Sequence, residues 1–95
     1  MSESVTNQPA LRALDHVVST DFEGGEGVLV DLNTRKYYRL NETAMLVWRG
    51  LENGRGFDEI VEEMTGEYEV TPERARESVE KILNNFRSLR LAGPR

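Results

Sequence analysis

The chain is predicted to be an α+β domain with a winged helix-turn-helix-like shape, a small antiparallel three-stranded sheet followed by three helices. Three observations carry this. Short apolar runs bounded by turn residues occupy residues 14–40, and from Asn41 onward apolar residues recur at helical spacing. Neither half can stand alone, because a three-stranded sheet and short amphipathic helices each need a partner layer to bury their apolar face. Ninety-five residues also suffice for one domain, near the lower end of sizes that bury a core of their own.

In chain order, Met1 to Ala13 is polar, carries Pro9 and is expected as a flexible N-terminal tail. Leu14 to Thr20, with His16-Val17-Val18, is the first strand, and Gly24-Gly25 marks the turn after it. Val28 to Leu32 is the second strand. DLNTRK supplies turn chemistry for a hairpin into Lys36–Leu40, the third. Alternation places Tyr38 and Leu40 on one face of that strand and Tyr37 and Arg39 on the other.

Asn41 is suited to cap the first helix, in which Ala44, Val47, Trp48 and Leu51 form the apolar stripe before Asn53-Gly54 ends it. Phe57, Ile60, Val61 and Met64 make the stripe of a second, short helix that stops at Gly66. Thr71 as cap and Pro72 at the first helical position open the third. Its expected core stripe is Ala75, Val79, Ile82, Phe86 and Leu89, and Gly93-Pro94 follows in a short C-terminal tail, residues 92–95. Trp48, Phe57 and Phe86 are the bulky core candidates.

The composition excludes several classes of function. Without cysteine there is no disulfide framework, thiolate metal site or cysteine nucleophile. The single histidine, His16, sits in a strand beside two valines and has no companion ligands, so neither a metal site nor a triad with Ser19 and Asp21 is expected. GGEG at 24–27 lacks the lysine and helix start of a phosphate loop. The pairs Asp58-Glu59 and Glu62-Glu63 fall on the polar side of a short helix. No catalytic residue, metal or cofactor is assigned.

No apolar run approaches the roughly 20 residues of a membrane span, and the N-terminus has no secretory pattern. A soluble, cytoplasmic protein is expected. The net charge of −5 disfavours nucleic acid as partner. Charge is unevenly spread: residues 56–70 carry six carboxylates and no base, whereas 71–95 are net basic.

With the elements placed, VLVDLNTRKYYRLNETAMLVW, the linker ENGRGFDEI, then EYEV and ARESVEKILNNFRSL, resemble the PqqD family, whose domain is also called the RiPP recognition element. RiPP denotes a ribosomally made, post-translationally modified peptide. The resemblance covers residues 14–91 and lies in the order and spacing of these segments. It implies a winged-helix fold and a non-catalytic adaptor. Such a protein binds the leader segment of a precursor peptide and presents it to a modifying enzyme, such as a radical SAM enzyme or a leader peptidase. The leader is implied to add as a strand beside the third strand, against the third helix.

On that implication the peptide-binding residues are Lys36, Tyr37, Tyr38, Arg39 and Leu40 on the strand. On one flank of the third helix they are Arg74, Ser78, Lys81 and Asn85. The other flank, with Arg76, Glu80 and Arg87, stays open as an alternative. The chain lacks the proline-containing segment, resembling PER, in the early strands of the PqqD of pyrroloquinoline quinone clusters. It looks closer to free-standing members from lasso-peptide or other modified-peptide pathways. A small winged-helix DNA-binding regulator is the alternative that the fold permits, but the third helix is interrupted by Glu73, Glu77 and Glu80. A subunit that only stabilises a larger enzyme is a third reading.

Overall fold

The structure is a computed structural model that describes residues 11–94. Strands β2 (Val17–Asp21), β3 (Gly27–Asp31) and β4 (Lys36–Leu40) form an antiparallel meander in that order, with β3 central. Helices α1 (Glu42–Glu52), α2 (Phe57–Glu67) and α3 (Pro72–Ser88) follow. A second, two-stranded sheet pairs β1 (Leu11–Ala13) with β5 (Ala92–Pro94). The predicted α+β architecture of three strands and three helices is therefore present, with one addition.

That addition corrects the expected tails. Residues 1–10 and Arg95 lie outside the described residues, but Leu11–Ala13 and Ala92–Pro94 are strands, not tail. Burial explains them: Leu91 and Ala92 are enclosed, Leu11, Ala13 and Leu14 pack against the core, and the Leu14 amide donates to the Leu91 carbonyl at 3.0 Å. Three-residue strands carry too little pattern to be read in advance. The first strand of the meander also starts later than expected, at Val17.

Local chemistry sets the hairpin that matters. The carboxylate of Asp31 accepts the amides of Asn33 and Thr34 at 2.8 and 3.1 Å, and Arg35 takes the left-handed conformation with φ of 64°. The chain thus reverses in four residues, and Leu29 falls opposite Tyr38 and Gly27 opposite Leu40. Directly after Leu40, the Asn41 side chain accepts the Ala44 amide at 2.9 Å and caps α1. Strand therefore passes into helix with no loop between.

The core lies between the sheet and the three helices. Trp48 is fully buried on α1 and meets Phe86 of α3 edge-on, with ring centroids 5.3 Å apart and planes at 85°. Gly50 allows α2 to approach, since a Cβ there would lie 2.7 Å from Ile60 Cγ1. Phe57 is only partly buried, packing at the rim under the guanidinium of Arg76, which stands 5.0 Å from its ring centre. Ser19–Glu52 and Asp21–Arg49, at 3.0 and 2.8 Å, tie β2 to α1.

On α3 the buried stripe is Ala75, Val79, Leu83 and Phe86. Leu83, four residues after Val79 and three before Phe86, continues that stripe; Ile82 and Leu89 do not. Ile82 is half-buried and packs against the edge of the core, whereas Leu89 is 42% exposed, so of the expected stripe Leu89 alone falls outside the core.

Candidate peptide-binding groove

Ladder polarity decides what β4 offers. The Phe22 amide donates to Glu26 at 2.7 Å and the Leu32 amide to His16 at 2.8 Å, so at both ends of β2 and β3 the even-numbered residues of the second strand bond the first. Backbone groups alternate in direction along a strand. Gly27, Leu29 and Asp31 therefore turn their N–H and C=O groups to β4, where they meet Leu40, Tyr38 and Lys36. The amides and carbonyls of Tyr37 and Arg39 point the other way, to an edge that carries no further strand among the described residues.

Beside that edge lies α3, and between the two is a groove of about 610 Å³. It brings together Tyr37, Tyr38, Arg39 and Leu40 from β4 with Ser78, Lys81 and Asn85 from α3. The flank of α3 that faces the strand is thus that of Ser78, Lys81 and Asn85, not that of Arg76, Glu80 and Arg87. Two of the residues singled out from sequence do not line this groove. Lys36 lies at the hairpin end of β4, and Arg74 lies one turn beyond Ser78 in an adjoining chamber.

Several lining residues were not foreseen. Asn41, Thr43 and Ala44 come from the start of α1, and Ile82, Phe86, Leu89 and Leu91 supply an apolar floor. Helical spacing alone places Ile82 and Leu89 in the core stripe. The available signal was a surplus: adjacent apolar residues at 82 and 83 give α3 a wider apolar face than one buried stripe uses.

The groove is apolar below and cationic at its lips. Lys81 and Arg39 line it and, among the described residues, no carboxylate does, in a chain of net charge −5. Arg39 does reach Glu26 at 3.6 Å, but both side chains are at least half exposed, so that pair is weak. Tyr37 is 73% exposed. Nothing here assembles a nucleophile, base and oxyanion donor, and no group of three or more metal-ligating side chains exists among the described residues. His16 sits away from the groove, its Nε2 3.2 Å from the Arg90 carbonyl and 3.7 Å from Asp31.

A sequence model of the family described as "Coenzyme PQQ synthesis protein D (PqqD)" matches residues 26–92. The chain belongs to the PqqD family. The match takes in β4, α3 and the whole of the groove between them. No curated protein matches this PqqD-family chain. Among solved structures it is similar to "TbiB1 in Complex with the TbiA(beta) Leader Peptide", at 28% identity and a TM-score of 0.80, over 85% of this chain and 93% of that one. It is also similar to "Lasso peptide synthetase B1 complexed with the leader peptide", at 25% identity and a TM-score of 0.78, over 88% of this chain and 98% of that one. Both neighbours were solved with a leader peptide bound. No helix among the described residues is long and apolar enough to cross a membrane.

Proposed function

We propose that this chain is a non-catalytic adaptor that binds the leader segment of a ribosomally made precursor peptide by strand addition to β4. It presents the attached core peptide to a modifying enzyme, a leader peptidase or a radical SAM enzyme. The observation that carries the reading is the edge of β4, where the Tyr37 and Arg39 backbone groups pair with no other strand among the described residues and border a groove shared with α3 and floored by Ile82 and Leu89. Main-chain bonds to those groups supply affinity in this mode, and the side chains around them supply selectivity. A free leader is disordered, so its apolar side chains must gain enough from the Ile82–Leu89 floor to offset the entropy of ordering.

Family membership and leader-bound neighbours support the same reading, and the neighbours favour lasso-type leaders as the first peptides to try. Binding in this way raises the effective concentration of the core peptide at the enzyme, to roughly the millimolar range for a short linker. The test is paired. Labelled lasso-type leaders and a labelled DNA duplex are titrated near physiological salt, and the partner enzyme is assayed on full-length and leaderless precursor. Peptide binding and stimulation confined to the full-length precursor are expected. Sequence-specific DNA binding tighter than peptide binding would establish the regulator reading instead.

A further inference from the structure

The groove does not end where β4 does. Past Leu40 it is adjoined by a second chamber of about 440 Å³ at the corner between the end of α2 and the start of α3. Thr43 and Ser78 line both spaces, so the two adjoin at these side chains. Met64 and Ala75 are buried beneath the chamber, Val70 is 37% exposed in it, and Arg74 stands at its lip. The Tyr68 phenol donates to Glu42 at 3.2 Å; burial first, and that hydrogen bond next, hold it above its ordinary value of 10.0. It stays neutral at physiological pH and adds no negative charge.

We propose that this chamber is a second site for the same peptide. It takes an apolar side chain about two residues past the strand-paired segment, with Arg74 holding a carboxylate of that peptide. The proposal rests on the reading that β4 and α3 bind a peptide, and it fixes that peptide's length and chemistry. From Arg74 to Leu89, α3 advances roughly 22 Å at about 1.5 Å per residue. An extended chain covers that in about seven residues at roughly 3.3 Å each, whereas β4 pairs over 5. An occupant that follows the whole lip must therefore run past the strand, and the Leu40 end leads into the chamber.

Charge selects the kind of peptide. Along the groove and chamber, Arg39, Lys81 and Arg74 stand against Glu69, the one lining carboxylate among the described residues. Against a chain of net charge −5, three cations around the groove and chamber favour an acidic, extended segment over a basic one.

The probe is a synthetic peptide taken from a random 12-residue display library by selection on the immobilised full chain. It is compared with a version in which the residues reaching beyond the five paired ones are replaced by Gly-Ser. The expected result is that the replacement weakens binding at least tenfold. Val70→Asp and Arg74→Glu, both at exposed positions, should each weaken the intact peptide severalfold, yet leave the Gly-Ser version unchanged, because the contact is already gone. Melting within a few degrees of wild type certifies the fold of each variant. Since the chain has no cysteine, a bimane placed on Val70→Cys gives a second readout and should shift to the blue with the intact peptide only. Equal binding of both peptides, with no bimane response, overturns the second site and leaves the strand site standing. Failure to enrich any peptide, or enriched peptides that bind Arg39→Pro as tightly as Arg39→Ala, overturns the peptide-binding reading itself and the second site with it.

Discussion

Proline substitution along β4 separates the two jobs of its backbone. Tyr38 turns its amide to the Leu29 carbonyl, whereas Tyr37 and Arg39 turn theirs to the open edge. Proline at 38 removes a ladder bond and strands the carbonyl of a residue with no exposed surface, costing about 1–3 kcal/mol. Loss of the half-buried tyrosine ring and a proline in a paired position add roughly 1–2 kcal/mol more. Against a stability of about 5–14 kcal/mol for a chain of this size, and about 4–8 °C per kcal/mol, the melting temperature should fall by roughly 10–30 °C. Proline at 37 or 39 removes no ladder bond, so the shift should stay within about 5 °C.

Binding should divide the other way. Each edge amide offered to a peptide is worth about 0.5–1.5 kcal/mol net, or roughly 2- to 13-fold in Kd. Tyr37→Ala and Arg39→Ala remove the side chain and keep the amide, so the proline–alanine difference isolates the backbone bond. Circular dichroism melts and titration with the display-selected peptide read the two effects. If Tyr38→Pro melted like wild type, the ladder polarity derived above would be wrong. If both edge prolines bound like their alanine counterparts, strand addition at β4 would be refuted.

Lys81→Glu should weaken binding by about 1 kcal/mol or less, because its contact is solvent-exposed, and the loss should shrink at high salt. Gly50→Ala sets helix propensity, a gain of about 1 kcal/mol, against overpacking of buried Ile60, a cost of about 1–3 kcal/mol. With the new Cβ 2.7 Å from Ile60 Cγ1, net destabilisation is expected, and a higher melting temperature would contradict it. Trp48→Ala empties the centre of the core and should cost about 3–5 kcal/mol in chemical denaturation. At Asp31, burial pushes the carboxyl up, but the Thr34 and Asn33 amides, the nearby His16 and the Thr34 hydroxyl together hold it below its ordinary value of 3.8. A lowered folded pKa contributes stability that is present above 3.8 and lost as pH falls through the folded value. Asp31→Asn should therefore lower the melting temperature at pH 7 and narrow the gap to wild type as the solution is acidified below pH 4.

The sequence carried the fold wherever a pattern was long enough to repeat. Seventeen residues of α3 opened by Thr71-Pro72, and the passage from KYYRL through Asn41 into α1, could be read directly, since cap, turn and period agree there. Two kinds of feature could not. β1 and β5 are three residues each and exist because each pairs with the other across nearly the full chain, which no local pattern encodes. The groove floor was hidden for a different reason. Ile82 and Leu89 are as apolar as Leu83, and only the placement of α3 beside β4 decides which of them is covered. Ser78, Lys81 and Asn85 came to light as a polar stripe, but which flank met the strand depended on that same packing.

An open strand edge invites pairing with any strand, including a second copy of the chain. The charges around β4 bear on that choice. Only Tyr37 and Arg39 present backbone groups outward, so antiparallel pairing of two copies must oppose 37 with 37, 39 with 39, or 37 with 39. The first sets Arg39 against Arg35 of the other copy, and the second sets Arg39 against itself. Both place like charges directly opposite, which destabilises a pair. In the remaining register Arg39 faces Tyr37 of the other copy, and Arg35 of one copy lies diagonal to Arg39 of the other, still a pair of like charges within reach. A strand bearing carboxylates meets no such penalty. It can take Arg39 from Glu26, a pair held at 3.6 Å between exposed groups, at little cost. The cations that make β4 receptive to an acidic peptide therefore also discourage the edge from closing on a copy of itself.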